Sequence, residues 1–525
     1  MTGLEMRILF LAVALVATAF SAGAEIFRWA NDGDIASLDP YARQETFQLS
    51  FTANIYEPLV RRDRDLKIEP ALAESWEQVS PTVWRFRLRP NVRFQGGETF
   101  TAADVVFSLE RARHSQINTQ VASIKEIRAV SPLLIEIETT APNPILLEDL
   151  STWGMMSRAW AERNGAARVA DVSKREENFA TRNANGTGPF VAVLREPDQR
   201  TVLRPHPEWW DSAIHNLTEV RFDVIASNAT RVAALLSGQT DMLYTVPPQD
   251  VDRIGRTAGF RIVQSPELRT MFLGFDQWRP ELLKSDVKGR NPFQDRRVRE
   301  AVYLAIDVEA IRTRVMRGQA RVTDLVIGPG VRGYQPDLDH HRPADPARAR
   351  QLLAEAGYGN GFGVTLDCSN DRYVNDEAIC QAVASMLARV GIRVTVAAQT
   401  RGRFFSEVLG PRYETSFFLL GWTPLTYDVH NVLYGLFNRR GAEARGAMNV
   451  GGYANPRIDA LTDRIAVETD PATRDRQVRE ALEILRRDVA VVPLHQQTAI
   501  WAARTNVDLA QPADNSFPLR FVRVR

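Results

Sequence analysis

An excess of charge of either sign is missing from this chain, and so is cysteine in any quantity. Of 525 residues, 65 are Lys or Arg and 64 are Asp or Glu, which leaves a net charge of +1. A balance that even offers no electrostatic footprint for nucleic acid or an anionic lipid surface, so a polyanion partner is not expected. Internal repeats, low-complexity tracts and long linkers are also absent, and a composition of 44% hydrophobic and 25% charged residues is that of an ordinary globular protein large enough for two or three domains. The familiar catalytic signatures are missing too. No G-x-S-x-G elbow, H-E-x-x-H helix or phosphate-cradling G-x-x-x-x-G-K-[ST] loop occurs, and Gly357, Gly359, Gly361 and Gly363 alternate without dinucleotide spacing. Enzymatic activity and a resident cofactor are therefore not expected, and a secreted hydrolase is the rival class.

Long apolar runs are lacking after the first two dozen residues. Arg7 precedes an uncharged stretch from Ile8 to Phe20, and Ser21-Ala22-Gly23-Ala24 supplies the small residues a signal peptidase needs. Residues 1–24 read as a cleavable signal peptide, with Met6 an alternative start to Met1. The alternative is a membrane anchor, but the run falls short of the roughly 20 residues a bilayer span requires. No cysteine near the cleavage site is available to carry a lipid. A soluble periplasmic protein, not a lipoprotein, is the expectation.

Only two cysteines exist, Cys368 and Cys380. An even count in an oxidising compartment allows a disulfide; two small buried thiols are the alternative. Neither has a second cysteine or histidine at zinc spacing. The 7 histidines include the pair His340-His341, which sits in a polar loop and reads as solvated rather than metal-binding.

The elements mix strands and helices. Trp84-Arg85-Phe86-Arg87-Leu88 alternates with the period of a half-buried strand. Thr101 with Asp104 forms a cap before a helix whose apolar face carries Val105, Val106 and Leu109. Asp345-Pro346 opens another helix that ends at Gly357. A strand over 364–367, a helix over 377–390 stopping at Gly391, and a strand over 392–396 make a strand-helix-strand unit of an α/β sheet. Asp295 opens a helix with Val298, Ala301, Val302 and Ala305 inward, and a late helix carries Val478, Leu482, Leu485 and Val489.

Several segments share the order of one known family. Phe94, Gly97, Thr101, Ala102, Asp104 and Val105 match F-x-x-G followed by T-A-x-D-V. Ser37-Leu38-Asp39-Pro40, Tyr56-Glu57-Pro58-Leu59, Asn185 to Phe190, Trp209-Trp210, Leu236-Ser237-Gly238 and the run from Pro292 to Asp307 follow the same family's sequence of motifs. The chain thus resembles the peptide, nickel and opine family of solute-binding proteins, the extracytoplasmic receptors of ABC importers. That resemblance implies an α/β, two-lobed periplasmic binding protein of type II, cluster C-like, with an extra domain inserted in lobe I. The implied division is 25–59, 186–272 and 495–525 for lobe I, 60–185 for the inserted domain, and 273–494 for lobe II. It also implies an inner-membrane ABC permease as partner and a monomer that performs no reaction. A sensory or chaperone-like binder that feeds no transporter is the third reading.

The resemblance places the ligand as well. Arg372, Tyr373, Asn375 and Asp376 lie between a strand end and a helix start, where open α/β sheets hold ligands. In related dipeptide receptors an arginine in this connection pairs with the ligand's carboxylate, and Arg372 is its match here; bridging Asp371 and Asp376 is the alternative. Trp422, Thr423, Leu425 and Asp428 fall in a segment similar to G-W-x-x-D-Y-x-D-P-x-N. The first aspartate of that pattern receives a peptide's ammonium in the family, and this chain has Leu425 there. Asp428 either takes over that role or caps the next helix. From the other lobe, Glu45, Thr46, Phe47 and Gln48 match the segment that runs alongside the ligand, with Arg401 and Arg403 at the rim. The expected solute is a small peptide or a peptide-like, opine-like or glutathione-like molecule or metal chelate.

Overall fold

The computed structural model describes residues 25–525 apart from 116, 119, 120, 411 and 442–444, so the expected signal peptide lies outside the described residues. Two long strands, Phe260–Phe275 and Val491–Arg504, organise the rest. They pair antiparallel along their length and form the middle of an 11-stranded sheet. On one side the sheet continues through Phe417–Trp422, Phe362–Ser369 and Ile392–Gln399; on the other it continues through Met242–Leu243, Ile26–Asn31, Glu219–Val224, Arg200–Pro205 and Phe190–Glu196. Separate apolar cores form on each half. One gathers Phe275, Val302, Leu366 and Phe417, and the other gathers Trp29, Phe51, Phe222 and Trp501. Two lobes joined by two crossing strands follow directly.

The strand-helix-strand unit is present as Phe362–Ser369, Asp376–Ala388 and Ile392–Gln399, its two strands parallel. Ile379, Val383 and Leu387 bury the helix on the sheet, and Gly391 turns the chain with a φ of +94°. Cys368 and Cys380 are joined by a disulfide between the first strand and this helix.

Residues 73–139 build a second, four-stranded antiparallel sheet in the order Ala73–Ser80, Val83–Leu88, Leu134–Thr139, Ile124–Ser131. Phe86 and Leu88 point into its core, as the alternation predicts. Helix Ala102–Arg113 covers the sheet with Val105 and Leu109, while Val106 is only half-buried. Its capping box is formed: the Thr101 N–H donates to Asp104 at 2.9 Å, and the second oxygen of Asp104 accepts the Arg158 N–H at 3.0 Å.

The short sequence motifs turn out to be one another's partners. Asp39 takes a buried ion pair from Arg111 of that helix. Glu57 accepts from Thr187 at 3.0 Å, Trp209 at 3.2 Å and Trp210 at 2.6 Å, which ties three motifs together. A Cβ on Gly186 would stand 1.9 Å from the Ile55 carbonyl oxygen, so only glycine allows that crossing.

Candidate functional site

The ladder between the two long strands breaks between Pro266 and Thr270. Leu268 turns its N–H to Ala513 instead, at 2.8 Å, and the flanking Glu267 and Arg269 are left free of strand pairing where one lobe passes into the other. Both are buried, at 4% and 9% exposure, and Arg269 Nη1 lies 3.2 Å from Glu267 Oε1. Burial pushes the Glu267 carboxyl above the usual range, against the pull of Arg269 and Arg372. Burial also opposes the charge on Arg269, but Glu267, Tyr373 and Glu45 outweigh it and raise its pKa.

Lobe II brings Arg372 and Tyr373 to this point. The Arg372 guanidinium is 3.7 Å from Glu45 of lobe I and 5.2 Å from the centre of the Tyr373 ring; Arg269 lies 6.0 Å from the same ring. Both guanidinium groups therefore lie within cation–π range of the Tyr373 ring. The loop is fixed from below by Asp376, which accepts from Ser369 Oγ at 2.7 Å and from the N–H groups of Arg372 at 3.2 Å and Tyr373 at 3.1 Å. Asn375 takes the left-handed conformation, φ 55°, and donates to Val315 at 2.9 Å. The Arg372 side chain thus does not bridge Asp371 and Asp376. It faces the cleft.

Hydrogen bonding separates the buried Arg269 and the half-buried Arg372 from the buried arginines Arg231 and Arg299. Arg231 donates to Ile225, Ala226, Thr245 and Asn228, and Arg299 donates to four backbone carbonyls. Among the described residues, the guanidinium groups of Arg269 and Arg372 make no hydrogen bond and have only the carboxylate and ring contacts given above. Buried polar groups normally find partners, so unfilled donors at a cleft mark a place where something else supplies them.

The second segment, 420–431, contributes a cavity of about 170 Å³ between the lobes. Thr46, Thr423 and Leu425 line it, together with Arg62, Tyr427 and Asp514. The Tyr427 hydroxyl donates to Asp514 of lobe I, and the Arg62 guanidinium lies 3.7 Å from the Tyr427 ring centre. The hydroxyls of Thr423 and Thr426 are buried without a partner. A larger cavity of about 340 Å³ lies inside lobe II beside Tyr303, Asp324 and Arg486, and none of the cleft residues lines it.

Other residues expected at the ligand are engaged within the protein. Asp428, fully buried, accepts from the His430 N–H at 2.7 Å and from Arg474 at 2.8 Å, so it caps a helix and holds an internal ion pair. Gln48 is also fully buried and spans the loop at 36–37, accepting from Ala36 at 2.9 Å and donating to Ser37 at 2.7 Å. Glu45 caps its own helix by accepting from Gln48 at 3.2 Å, while Phe47 packs among Trp29, Phe222 and Tyr244. Trp422 is half-buried and donates to Asn431 at 3.1 Å. Arg401 is exposed at the rim with its guanidinium beside Gly33 of lobe I, and Arg403 pairs with Glu407. His341, read from the sequence as solvated, is instead half-buried and stacks on Tyr303 with ring centres 4.4 Å apart, whereas His340 is exposed as expected. Glu267, Arg269, Arg62 and Asp514 escape the sequence reading. The one signal for the first two is a charged pair just ahead of the apolar run from Met271 to Phe275.

Among the described residues no helix is long and apolar enough to cross a membrane, and no group of three or more His, Cys, Asp or Glu is placed to hold a metal ion. Comparison with known proteins agrees with the geometry. A curated relative, the glutathione-binding protein GsiB of Escherichia coli, is 25% identical over 510 residues, 95% of this chain and 94% of its own. A Helicobacter pylori periplasmic binding protein, DppA, solved with the peptide STSA, superposes with a TM-score of 0.82 at 23% identity, over 95% of this chain and 98% of that one. AgaA of A. tumefaciens, solved with agropinic acid, gives 0.80 at 21% identity over 95% and 99%. The profile described as "Bacterial extracellular solute-binding proteins, family 5 Middle" matches residues 67–444. A two-lobed α/β frame with a polar cleft at its crossing strands and a family match over most of the chain lead to one conclusion: the protein belongs to the bacterial extracellular solute-binding proteins of family 5.

Proposed function

We propose that this chain is a periplasmic receptor that closes its lobes on a small peptide or peptide-like solute and delivers it to an inner-membrane ABC permease. Arg372 carries this reading: it reaches from lobe II toward Glu45 of lobe I with its donors unfilled. A carboxylate is the group a planar guanidinium holds best, through two parallel hydrogen bonds. Arg372, Tyr373, Glu45, Thr46, Thr423 and Leu425 line the solute, while Asn375, Asp376 and Gln48 hold the lining in place and Asp428 serves the internal pair with Arg474. The names of the similar proteins, with glutathione, a peptide and agropinic acid as their ligands, span the same range of small carboxylates.

The receptor performs no reaction and uses no cofactor. The solute bridges both lobes and shifts the open and closed populations by its extra affinity for the closed form. A dissociation constant near 1 μM corresponds to about 8 kcal/mol, within reach of a small cavity with one or two charged anchors. Lobe I comprises 25–59, 186–272 and 495–525, lobe II comprises 273–494, and 60–185 forms a domain inserted in lobe I. The protein works as a monomer in the periplasm.

A thermal-shift screen of peptides, glutathione and opines identifies a bound solute, and calorimetry then tests the site. Arg372→Ala weakens a carboxylate ligand by about tenfold or more. Unchanged affinity removes Arg372 from the site.

A further inference from the structure

We propose that Glu267 and Arg269 form a receptor for an α-amino-acid zwitterion, Glu267 taking the ammonium and Arg269, together with Arg372, the carboxylate. The inference rests on the reading of the cleft as the solute site and adds the chemistry of the solute's head group.

The first argument is placement. The break in pairing between Pro266 and Thr270 frees the side chains of Glu267 and Arg269 at the passage between lobes. Nothing in the fold of either lobe needs a charge there, since the rest of the strand from Leu268 to Phe275 is buried and mostly apolar. A buried ion pair that served stability alone would be poorly built. Removing two charges from water costs several kcal/mol per ion, recovered only when further hydrogen bonds fill the remaining donors and acceptors. Arg111 with Asp39 is filled in that way, the guanidinium donating to both carboxylate oxygens and to the Ala166 carbonyl. Glu267 and Arg269 are not: their contact at 3.2 Å is an ion pair without a hydrogen bond, and Glu267 Oε1 is buried without a hydrogen-bond partner.

The second argument is charge order. From lobe I to the hinge the cleft presents Glu45 beside Arg372 and Arg269 beside Glu267, two acids and two bases, with both guanidinium groups near the Tyr373 ring. A simple anion would meet the two acids, and a simple cation the two arginines. A zwitterion satisfies both. Its spacing fits as well: ammonium and carboxylate of an α-amino acid sit on one carbon, and Glu267 and Arg269 present opposite charges 3.2 Å apart. In an ordinary dipeptide the two charged termini are separated by a further residue, about 3.5 Å more. The solutes favoured are those with an intact α-amino-acid head, such as γ-glutamyl compounds. Leu425 agrees, because an acid at the hinge replaces the aspartate that position lacks.

Calorimetry with glutathione, γ-glutamylcysteine and glutamate, each against its N-acetyl analogue, tests this on the full-length mature protein. The wild type is expected to bind at least one free-ammonium solute about tenfold or more tighter than its N-acetyl analogue. Glu267→Gln should weaken the free-ammonium form by a similar factor and leave the N-acetyl form unchanged. Because Glu267→Gln leaves Arg269 buried and unpaired, Glu267→Leu/Arg269→Met, which removes both charges at similar volume, serves as the folding control; it should melt cooperatively and lose the ammonium preference. Equal binding of free and N-acetyl forms overturns the proposal, as does binding of none of the three solutes, or Glu267→Gln weakening both forms alike. The cleft reading fails separately: it falls if Arg372→Ala binds every carboxylate solute as the wild type does.

Discussion

Asp428 shows how one carboxylate can be claimed by two roles at the scale of the residue. Its side chain caps a helix and pairs with Arg474, both fully or nearly fully buried. Asp428→Asn leaves the Arg474 charge without its partner and should cost about 3–5 kcal/mol in a denaturant titration. Solute affinity of the folded variant should be unchanged; a loss of affinity at unchanged stability would make Asp428 a ligand contact after all. Two histidines set a pH dependence. His495 is buried with both ring nitrogens unpartnered, and burial lowers its pKa to about 4. His430 is lowered to about 4 by burial, against the opposing pull of Asp428. Both are neutral when folded and protonate near 6.5 when unfolded, so the unfolded chain binds more protons as pH falls. Stability should therefore hold above about pH 6.5 and decline toward pH 4, each histidine contributing on the order of 3 kcal/mol. Thermal melts across that range check it, and His495→Leu should give a shallower slope. Arg372 was legible in the sequence because it sits in a recognisable connection, and its position beside Glu45 follows from that. Glu267 was not, since nothing local says that a strand of apolar residues will lose its pairing there.

Elements were the most legible scale, because capping and periodicity are local. Thr101 with Asp104, Asp295, and Asp345 with Pro346 each open the helix their spacing predicts. Thr101→Ala should lower stability by about 1 kcal/mol and leave solute binding intact. The disulfide is an element-scale brace with a functional consequence. It joins the strand before Arg372 to the helix after it, closing a loop of 12 positions. Cys368→Ser/Cys380→Ser should cost up to about 3 kcal/mol on the chain-entropy account. Because the loop presents Arg372, the same variant should bind solute more weakly, and calorimetry with and without reductant on the wild type should show the same direction. Equal affinity in both states would separate the bridge from the site. The register break at Pro266 to Thr270 is set by how two distant strands meet, so sequence periodicity carries no trace of it.

Among the described residues, polar contacts bridge the lobes at the whole-molecule scale. Tyr427 to Asp514, Glu45 to Arg372, and Arg332 to the Pro144 carbonyl at 3.2 Å cross between the halves. Contacts of that size are compatible with opening, and the crossing strands supply a hinge. Tyr427→Phe removes one crossing hydrogen bond and should shift the population toward the open form, weakening solute binding a few-fold with little change in melting temperature. The central claim is that this receptor captures a solute by closure and returns it unchanged. Small-angle scattering of the unliganded protein during titration with its solute, followed by mass measurement of the solute recovered after denaturation, tests it most directly. The account predicts a smaller radius of gyration at one solute per chain and a recovered solute of unaltered mass. Stoichiometric binding with an unchanged radius, or a recovered solute of altered mass, would contradict it.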